Sequence, residues 1–515
     1  MVNLERPYIA ELPGDPSQTE VGEDKGHYGS DNAEKDSSPL DECDLDAYFS
    51  SGGVLSGTMA DYELRPGQLE MANVVKQAIL DQCPALIEAP TGTGKSLAYL
   101  LPAVLSERKV VVATANKSLQ DQLFRKDIPF LRNVLGRPID AIVVKGRNNF
   151  ICSHKWERDS LERSRLAFLD KEDQQVASLR QWLAHTDTGD IDDLEIVLKS
   201  DLRPRVVSFP DDCIGRVCSH FEDNCFVNQM REKARQAQVV ITNHHLLLNA
   251  LELGEMGQVI LPEAAVYIID EAHQLEDTAT SVFEVETSDY ALMQLLSGAV
   301  FKDHVEEEVL FALQSQNQLA FSEVDRLSKS NVFRIDTDLE ALSTLAGSLT
   351  SLQDEMRKAN PYSQKEDADQ PPLTDEESEE EASYDLAVKG LGSLAGKMKA
   401  VSSSSQDDLT VRYAERIKGS RHLKLRLHAA PVDPSHKLAR YLFEEEGHTV
   451  VCTSATLATN GSFDHFRSRC GVKGVPLELI SGSVFNYSQQ ALLYQPALPA
   501  FDWRNKDPFL RRCFR

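Results

Sequence analysis

The chain has 515 residues, enough for more than one domain and for sizeable cores. Hydrophobic residues make up 41% and charged residues 26%. No apolar run reaches the length of a membrane span and the N-terminus has no signal-peptide core, so the sequence reads as intracellular, with no membrane partner. The net charge of −27 argues against nucleic acid only until its distribution is read. Residues 1–50 hold thirteen acids and three bases, residues 366–381 hold nine acids and no base, and everything else nets −8.

Both acidic segments are poor in large apolar residues and are expected to be disordered or loosely ordered. The first, taken as residues 1–56, reads as a flexible leader without chemistry. Tyr62, Arg65, Pro66 and Gln68 then open a helical pattern through Leu80. Arg65 and Gln68 share a turn, and a Gln amide matches the donor and acceptor edge of adenine. By itself this reads as a surface helix start, but it lies one helix ahead of the next motif.

Residues 85–101, A-L-I-E-A-P-T-G-T-G-K-S-L-A-Y-L-L, predict strand, loop and helix. Thr91, Gly92, Thr93 and Gly94 form a loop whose backbone N–H groups can face a phosphate chain, at a helix N-terminus of partial positive charge. Lys95 reaches the β- and γ-phosphates and Ser96 ligates Mg²⁺ in such a loop. The first position of the usual pattern is Ala89 rather than glycine. A strand at 109–113 follows, with Asn116, Lys117 and Ser118 at its end, either facing a nucleic-acid backbone or capping the next helix. Another strand, 141–144, ends at Lys145 and Arg147.

Cys152 follows closely; Cys213, Cys218 and Cys225 come sixty residues later, with four and six residues between neighbours. Nine cysteines, an odd number, in such a chain do not suggest a disulfide framework. Four thiolates enclose a 4Fe–4S cluster or a zinc ion. Structural zinc prefers close pairs on both sides, so the spacing suits the cluster better. Arg147, Lys155, Arg158, Arg163 and Arg165 flank Cys152, with Phe150 and Trp156 interleaved, a mixture that suits single strands. Residues 160–200 read as polar helix.

A strand at 239–242 ends at Asn243, His244 and His245, which read as groove lining or a helix cap. A further strand, 265–269, ends in Asp270, Glu271, Ala272 and His273. Carboxylates at the carboxyl end of a parallel strand lie where such sheets bind ligands: Asp270 to hold Mg²⁺, Glu271 to orient and deprotonate the attacking water. Residues 280–428 are mostly helical in period, interrupted by the second acidic segment. The strand at 449–452 ends in Thr453, Ser454, Ala455, Thr456 and Leu457.

Taken in order, Arg65 and Gln68, A-P-T-G-T-G-K-S, A-T-A-N-K, K-G-R-N-N-F-I-C, three further cysteines, I-T-N-H-H-L-L, D-E-A-H and T-S-A-T-L resemble the DinG-type, XPD-like iron–sulfur DNA helicases of superfamily 2, over residues 57–495. The resemblance implies an α/β fold: a RecA-like P-loop helicase domain (57–146, 239–280 and 431–484) with an iron–sulfur insertion (147–238) and a helical arch insertion (281–430). It implies ATP, Mg²⁺ and a 4Fe–4S cluster as cofactors, the cluster on Cys152, Cys213, Cys218 and Cys225. It puts catalysis on Lys95 and Glu271, adenine on Arg65 and Gln68, and coupling on His273, Ser454 and Thr456. Asn116, Lys117, Arg147 and Asn243 are the DNA-contact candidates.

The implied activity is ATP-driven, 5′-to-3′ unwinding in repair or replication, by a cytoplasmic protein of bacterial type acting as a monomer on single-stranded DNA and duplex junctions. The family continues through a second RecA-like domain. Here only Phe485, Asn486, Tyr487 and a Pro-rich run resemble its entrance, over 485–515. The sequence is therefore expected to be truncated, as a fragment, a frameshifted product or a natural short form. The second reading is a non-enzymatic iron–sulfur remnant that binds DNA and ATP.

Overall fold

A computed structural model describes residues 39–59, 62–166, 174–362, 374–403, 410–417, 425–444, 447–483, 485, 487–490 and 492. The leader up to residue 38, the acidic residues 366–373, the side chains of Arg163 and Arg165, Asn486 and the last 23 residues, 493–515, lie outside them.

Five strands come first: β1 (Ala85–Glu88), β2 (Val110–Thr114), β3 (Ala141–Val143), β4 (Val239–Asn243) and β5 (Val266–Asp270). Four more follow, β6 (Val285–Ser288), β7 (Val332–Arg334), β8 (Thr410–Arg416) and β9 (Leu425–Pro431), then β10 (Thr449–Ser454) and β11 (Leu477–Ile480). Seven of them form a parallel sheet in the order β11-β1-β10-β5-β2-β4-β3. The strands are near-continuous runs of Val, Ile, Leu and Ala because both faces are covered. Alternation divides them: Val110, Val112, Val266 and Ile268 enter one core, with helices Pro66–Asp81 and Lys95–Leu105. Val111, Ala113, Tyr267 and Ile269 enter the other, with helices Phe226–Gln236 and His244–Glu252.

Two segments interrupt this sheet. The first, between β3 and β4, has its own small core of Ile151, Val176, Leu179, Leu202, Val206 and Val207. Its first helices are Ser153–Leu166 and Gln174–Leu183, after which the chain runs mostly in turns to residue 202, so the expected polar helix across 160–200 stops early. The second, between β5 and β10, holds the helices its mostly helical periodicity suggested and also a sheet that the periodicity did not show. Helices Glu307–Arg326, Glu340–Lys358 and Asp375–Ser402 pack on an antiparallel sheet, β6-β9-β8-β7.

Two other expectations change. Residues 39–58 are not a flexible leader: they form three short helices that bury Leu40, Leu45, Phe49 and Leu55 in the main core. The acidic run from Asp375 onward opens the 28-residue helix Asp375–Ser402. Thr374 and Glu377 cap it reciprocally, and acidic residues in the first turn complement the helix dipole.

Candidate nucleotide site and cysteine centre

The carboxyl ends of β1, β10 and β5 lie side by side, with Glu88 opposite Ser454 and Thr453 opposite Asp270. After β1 the chain turns into the glycine loop. Gly92 and Gly94 have φ of 90° and 85°, where a side chain is strained, and a Cβ on Gly94 would collide with the Gln68 amide. Ala89 needs no glycine: its φ is not positive, and its N–H donates to the Ser454 carbonyl at 2.9 Å. Thr93, fully buried, donates to the Pro90 carbonyl at 2.8 Å, while Thr91 is exposed. Lys95 opens helix Lys95–Leu105, and its Nζ donates back to the Ala89 carbonyl at 3.3 Å. The ammonium thus closes over the hollow of the loop. Arg65 occupies the position just before helix Pro66–Asp81, and buried Gln68 donates its Nε2–H to the Gly94 carbonyl at 3.0 Å. Gln68 therefore braces the loop, a role that the sequence reading did not assign it.

Asp270 ends β5 and is buried. The Tyr99 hydroxyl donates to its Oδ2 at 3.1 Å and the Glu271 N–H to its Oδ1 at 3.0 Å. His244 Nε2 donates to the Asp270 carbonyl at 2.8 Å. Burial, and then the charge of Glu271, push the Asp270 carboxyl up to about 6; a cation beside it would oppose both. Ser96 stands beside Tyr99 and Asp127, and burial pushes the Asp127 carboxyl up as well. Ser96, Asp270 and Asp127 are hard oxygen donors of the kind Mg²⁺ takes, so this residue set fits that ion.

Glu271 sits at φ 56°, uncommon for a residue with a side chain. Its Oε2 accepts from Ser454 Oγ at 3.3 Å. His273 Nδ1 lies 2.8 Å from the same Oγ and 3.4 Å from Glu271 Oε2, and the Thr456 N–H donates to Ser454 Oγ at 3.3 Å. Since Ser454 spends its one proton on Glu271, His273 must donate from Nδ1. Two motifs 181 residues apart thus share one hydrogen-bond system. Glu88 fixes that loop: its Oε2 accepts the N–H groups of Leu457 and Ala458, each at 2.7 Å. Sequence reading missed Glu88, Tyr99 and Asp127, because their partners are distant in the chain and no local pattern marks them.

Among the DNA candidates, Asn116 caps helix Lys117–Gln122 through Leu119 N–H at 3.1 Å. Asn243 caps helix His244–Glu252 through Leu246 N–H at 2.8 Å. Lys117 pairs with Asp192 at 2.9 Å and reaches Asn149 at 3.3 Å. Arg147 begins the short turn Arg147–Asn149. His245 and buried His244 point to different surroundings and form no joint site.

Cys152, Cys213, Cys218 and Cys225 are free thiols, each half-buried. Cys213 and Cys225 act electrostatically on Cys152, and Cys152 and Cys213 on Cys218, so the fold gathers all four. Burial pushes the Cys152 thiol up and the Cys218 thiol up to about 11. Beside them, on helix Phe226–Gln236, Arg231 has a buried Nε with no hydrogen-bond partner among the described residues. Four thiols close enough to act on one another, and a half-buried guanidinium whose Nε is closed off without a partner among the described residues, fit an anionic four-thiolate centre. Ligand atoms of His154 and Glu379 lie within 4.8 Å of the Cys218 sulfur and of each other. Glu379, from the second insertion, accepts the Ser219 N–H at 2.6 Å.

Comparison with known proteins places relatives around these features. The DEAD/DEAH box helicase family model matches residues 66–149 and the DEAD_2 model residues 215–292. The ATP-dependent DNA helicase YoaA of Escherichia coli (strain K12) is 33% identical over 461 residues, 86% of this chain and 68% of that one. The 3′-5′ exonuclease DinG of Bacillus subtilis (strain 168) is 28% identical over 494 residues, 86% of this chain and 51% of that one. An XPD helicase structure overlays with a TM-score of 0.43 at 15% identity, covering 81% of this chain and 62% of that one.

Proposed function

The chain belongs to the DinG/YoaA-type ATP-dependent DNA helicases, and on that premise we propose that it couples ATP hydrolysis to movement along single-stranded DNA and to opening of duplex junctions, with 5′-to-3′ polarity, in repair or replication. The observation that carries this reading is the shared hydrogen-bond system of Glu271, Ser454 and His273 beside the glycine loop. It joins the group that would take a proton from water to the loop after β10.

Each residue then has a task. The N–H groups around Gly92 and Gly94 and the Lys95 ammonium bind the phosphate chain. Arg65 and Gln68 lie at the adenine end, on the helix that braces the loop. Glu271 holds the attacking water and accepts its proton, and Ser454 keeps the carboxylate aimed. Ser96 and Asp270 would hold a magnesium ion, which would supply positive charge to offset that of the phosphates. Cys152, Cys213, Cys218 and Cys225 would hold a 4Fe–4S cluster that staples the first insertion. Lys117 and Arg147 meet DNA phosphates, Lys117 by exchanging Asp192 for them, while Asn116 and Asn243 shape the helix starts beside that path.

Strand displacement on otherwise identical duplexes with a 5′ or a 3′ single-stranded overhang tests this proposal. ATP-dependent opening of the 5′-overhang duplex is the expected result. Opening of the 3′-overhang duplex alone would overturn the polarity, and DNA binding without ATP turnover would favour the remnant reading.

A further inference from the structure

Arg231 lies six residues past Cys225, on the helix that Cys225 caps. A guanidinium stays charged throughout the physiological range and offers five N–H donors. Burying one without an anion is costly, yet its Nε is closed off from solvent and has no hydrogen-bond partner among the described residues. Burial and the nearby charges of Arg147 and Arg235 work against its charge; the opposing, favourable influence comes from Cys213 and Cys225. The anion that suits this position is therefore one built on those sulfurs.

We propose that Arg231 donates a hydrogen bond from Nε to the cysteine-bound cluster on its Cys213 and Cys225 side, and that this charge holds the cluster at a higher reduction potential. The inference rests on the cluster reading of the four cysteines. A cluster held by four thiolates is anionic, and reduction adds one more negative charge. A buried cation beside it stabilises the reduced form more than the oxidised form, strongly so where the dielectric is low. Arg231 is a positioning and charge-compensating residue, not a cluster ligand.

The test uses wild type, Arg231→Gln and Arg231→Lys, each loaded anaerobically with iron and sulfide. Iron and sulfide are counted, ATP binding serves as the control for folding, and dithionite titration with mediator dyes is followed by visible absorbance. At the wild-type midpoint potential, the reduced-to-oxidised ratio of Arg231→Gln should fall roughly tenfold, about 59 mV for a one-electron couple. Arg231→Lys, which keeps the charge but loses the planar fork, should recover at least half of that shift. If Arg231→Gln binds ATP but takes up no cluster while Arg231→Lys loads normally, the requirement for charge stands equally. An unchanged midpoint in Arg231→Gln, or loss of the cluster in both variants with ATP binding intact, would overturn the proposal. A wild-type protein without bound iron and sulfide would instead sink the cluster reading on which it rests.

Discussion

At Glu271 three demands meet: a left-handed backbone, a carboxylate free to take a proton, and contact with the loop after β10. Such a conformation costs on the order of 1–3 kcal/mol and persists when its surroundings fix it; here the Glu271 N–H is tied to Asp270 and its carboxylate to Ser454. His244, beneath it, offers a measurable consequence. Burial pushes its imidazole down from 6.5 to about 4, so the folded protein keeps it neutral. Well above pH 6.5, neither folded nor unfolded chain protonates it appreciably, and it adds no pH dependence. Between about pH 6.5 and 4 the unfolded chain takes up a proton that the folded chain refuses, so stability falls as pH falls. Between pH 7 and pH 5 the loss from this group is about 2 kcal/mol. Urea unfolding of wild type and His244→Gln, without nucleotide, should show a smaller acid loss in the variant by about that amount. Equal losses would mean that His244 titrates normally.

The helices over 39–58 show why local composition misled at the level of the element. Residues 1–50 are acidic on average, but Leu40, Leu45, Phe49 and Leu55 are spaced so that short helices place each of them in the core. The Tyr62 hydroxyl bonds the Phe49 carbonyl at 2.5 Å and holds this layer down. Removing a buried Phe side chain costs about 3–5 kcal/mol. Phe49→Ala should therefore lower the thermal midpoint markedly, whereas a truncation ending at residue 38 is the control; an unchanged midpoint in Phe49→Ala would show that the layer does not contribute to the core. The sheet itself was legible because buried parallel strands read as short Val and Ile runs bounded by polar strand ends. β11, whose sequence L-E-L-I alternates at the sheet edge, and the strands β6 to β9, lost among helical periods, were not. The glycine loop and the acidic motif were legible because their chemistry needs adjacent residues. Glu88 was not, because its partners Leu457 and Ala458 lie 369 and 370 residues away.

Across the whole molecule, one parallel sheet presents the ends of β1, β10 and β5 along one edge, and both insertions attach to this framework. Lys145, following β3, pairs with Asp190 at 2.5 Å and Asp192 at 2.9 Å in the first insertion, and Glu379 of the second reaches Ser219 between Cys218 and Cys225. Order and spacing of the cysteines were readable in sequence; their convergence, and the Arg231 Nε beside them without a partner among the described residues, required the fold. The central claim is that the aligned strand ends hydrolyse ATP, with Lys95 holding phosphate and Glu271 taking the proton. Its most direct test is ATP affinity and single-turnover hydrolysis, with single-stranded DNA present, for wild type, Lys95→Ala and Glu271→Gln. Lys95→Ala should lose affinity by about 2 kcal/mol, roughly thirtyfold. Glu271→Gln should bind ATP as wild type does while hydrolysis slows roughly 10²–10⁴-fold. Hydrolysis by Glu271→Gln at the wild-type rate would contradict the account.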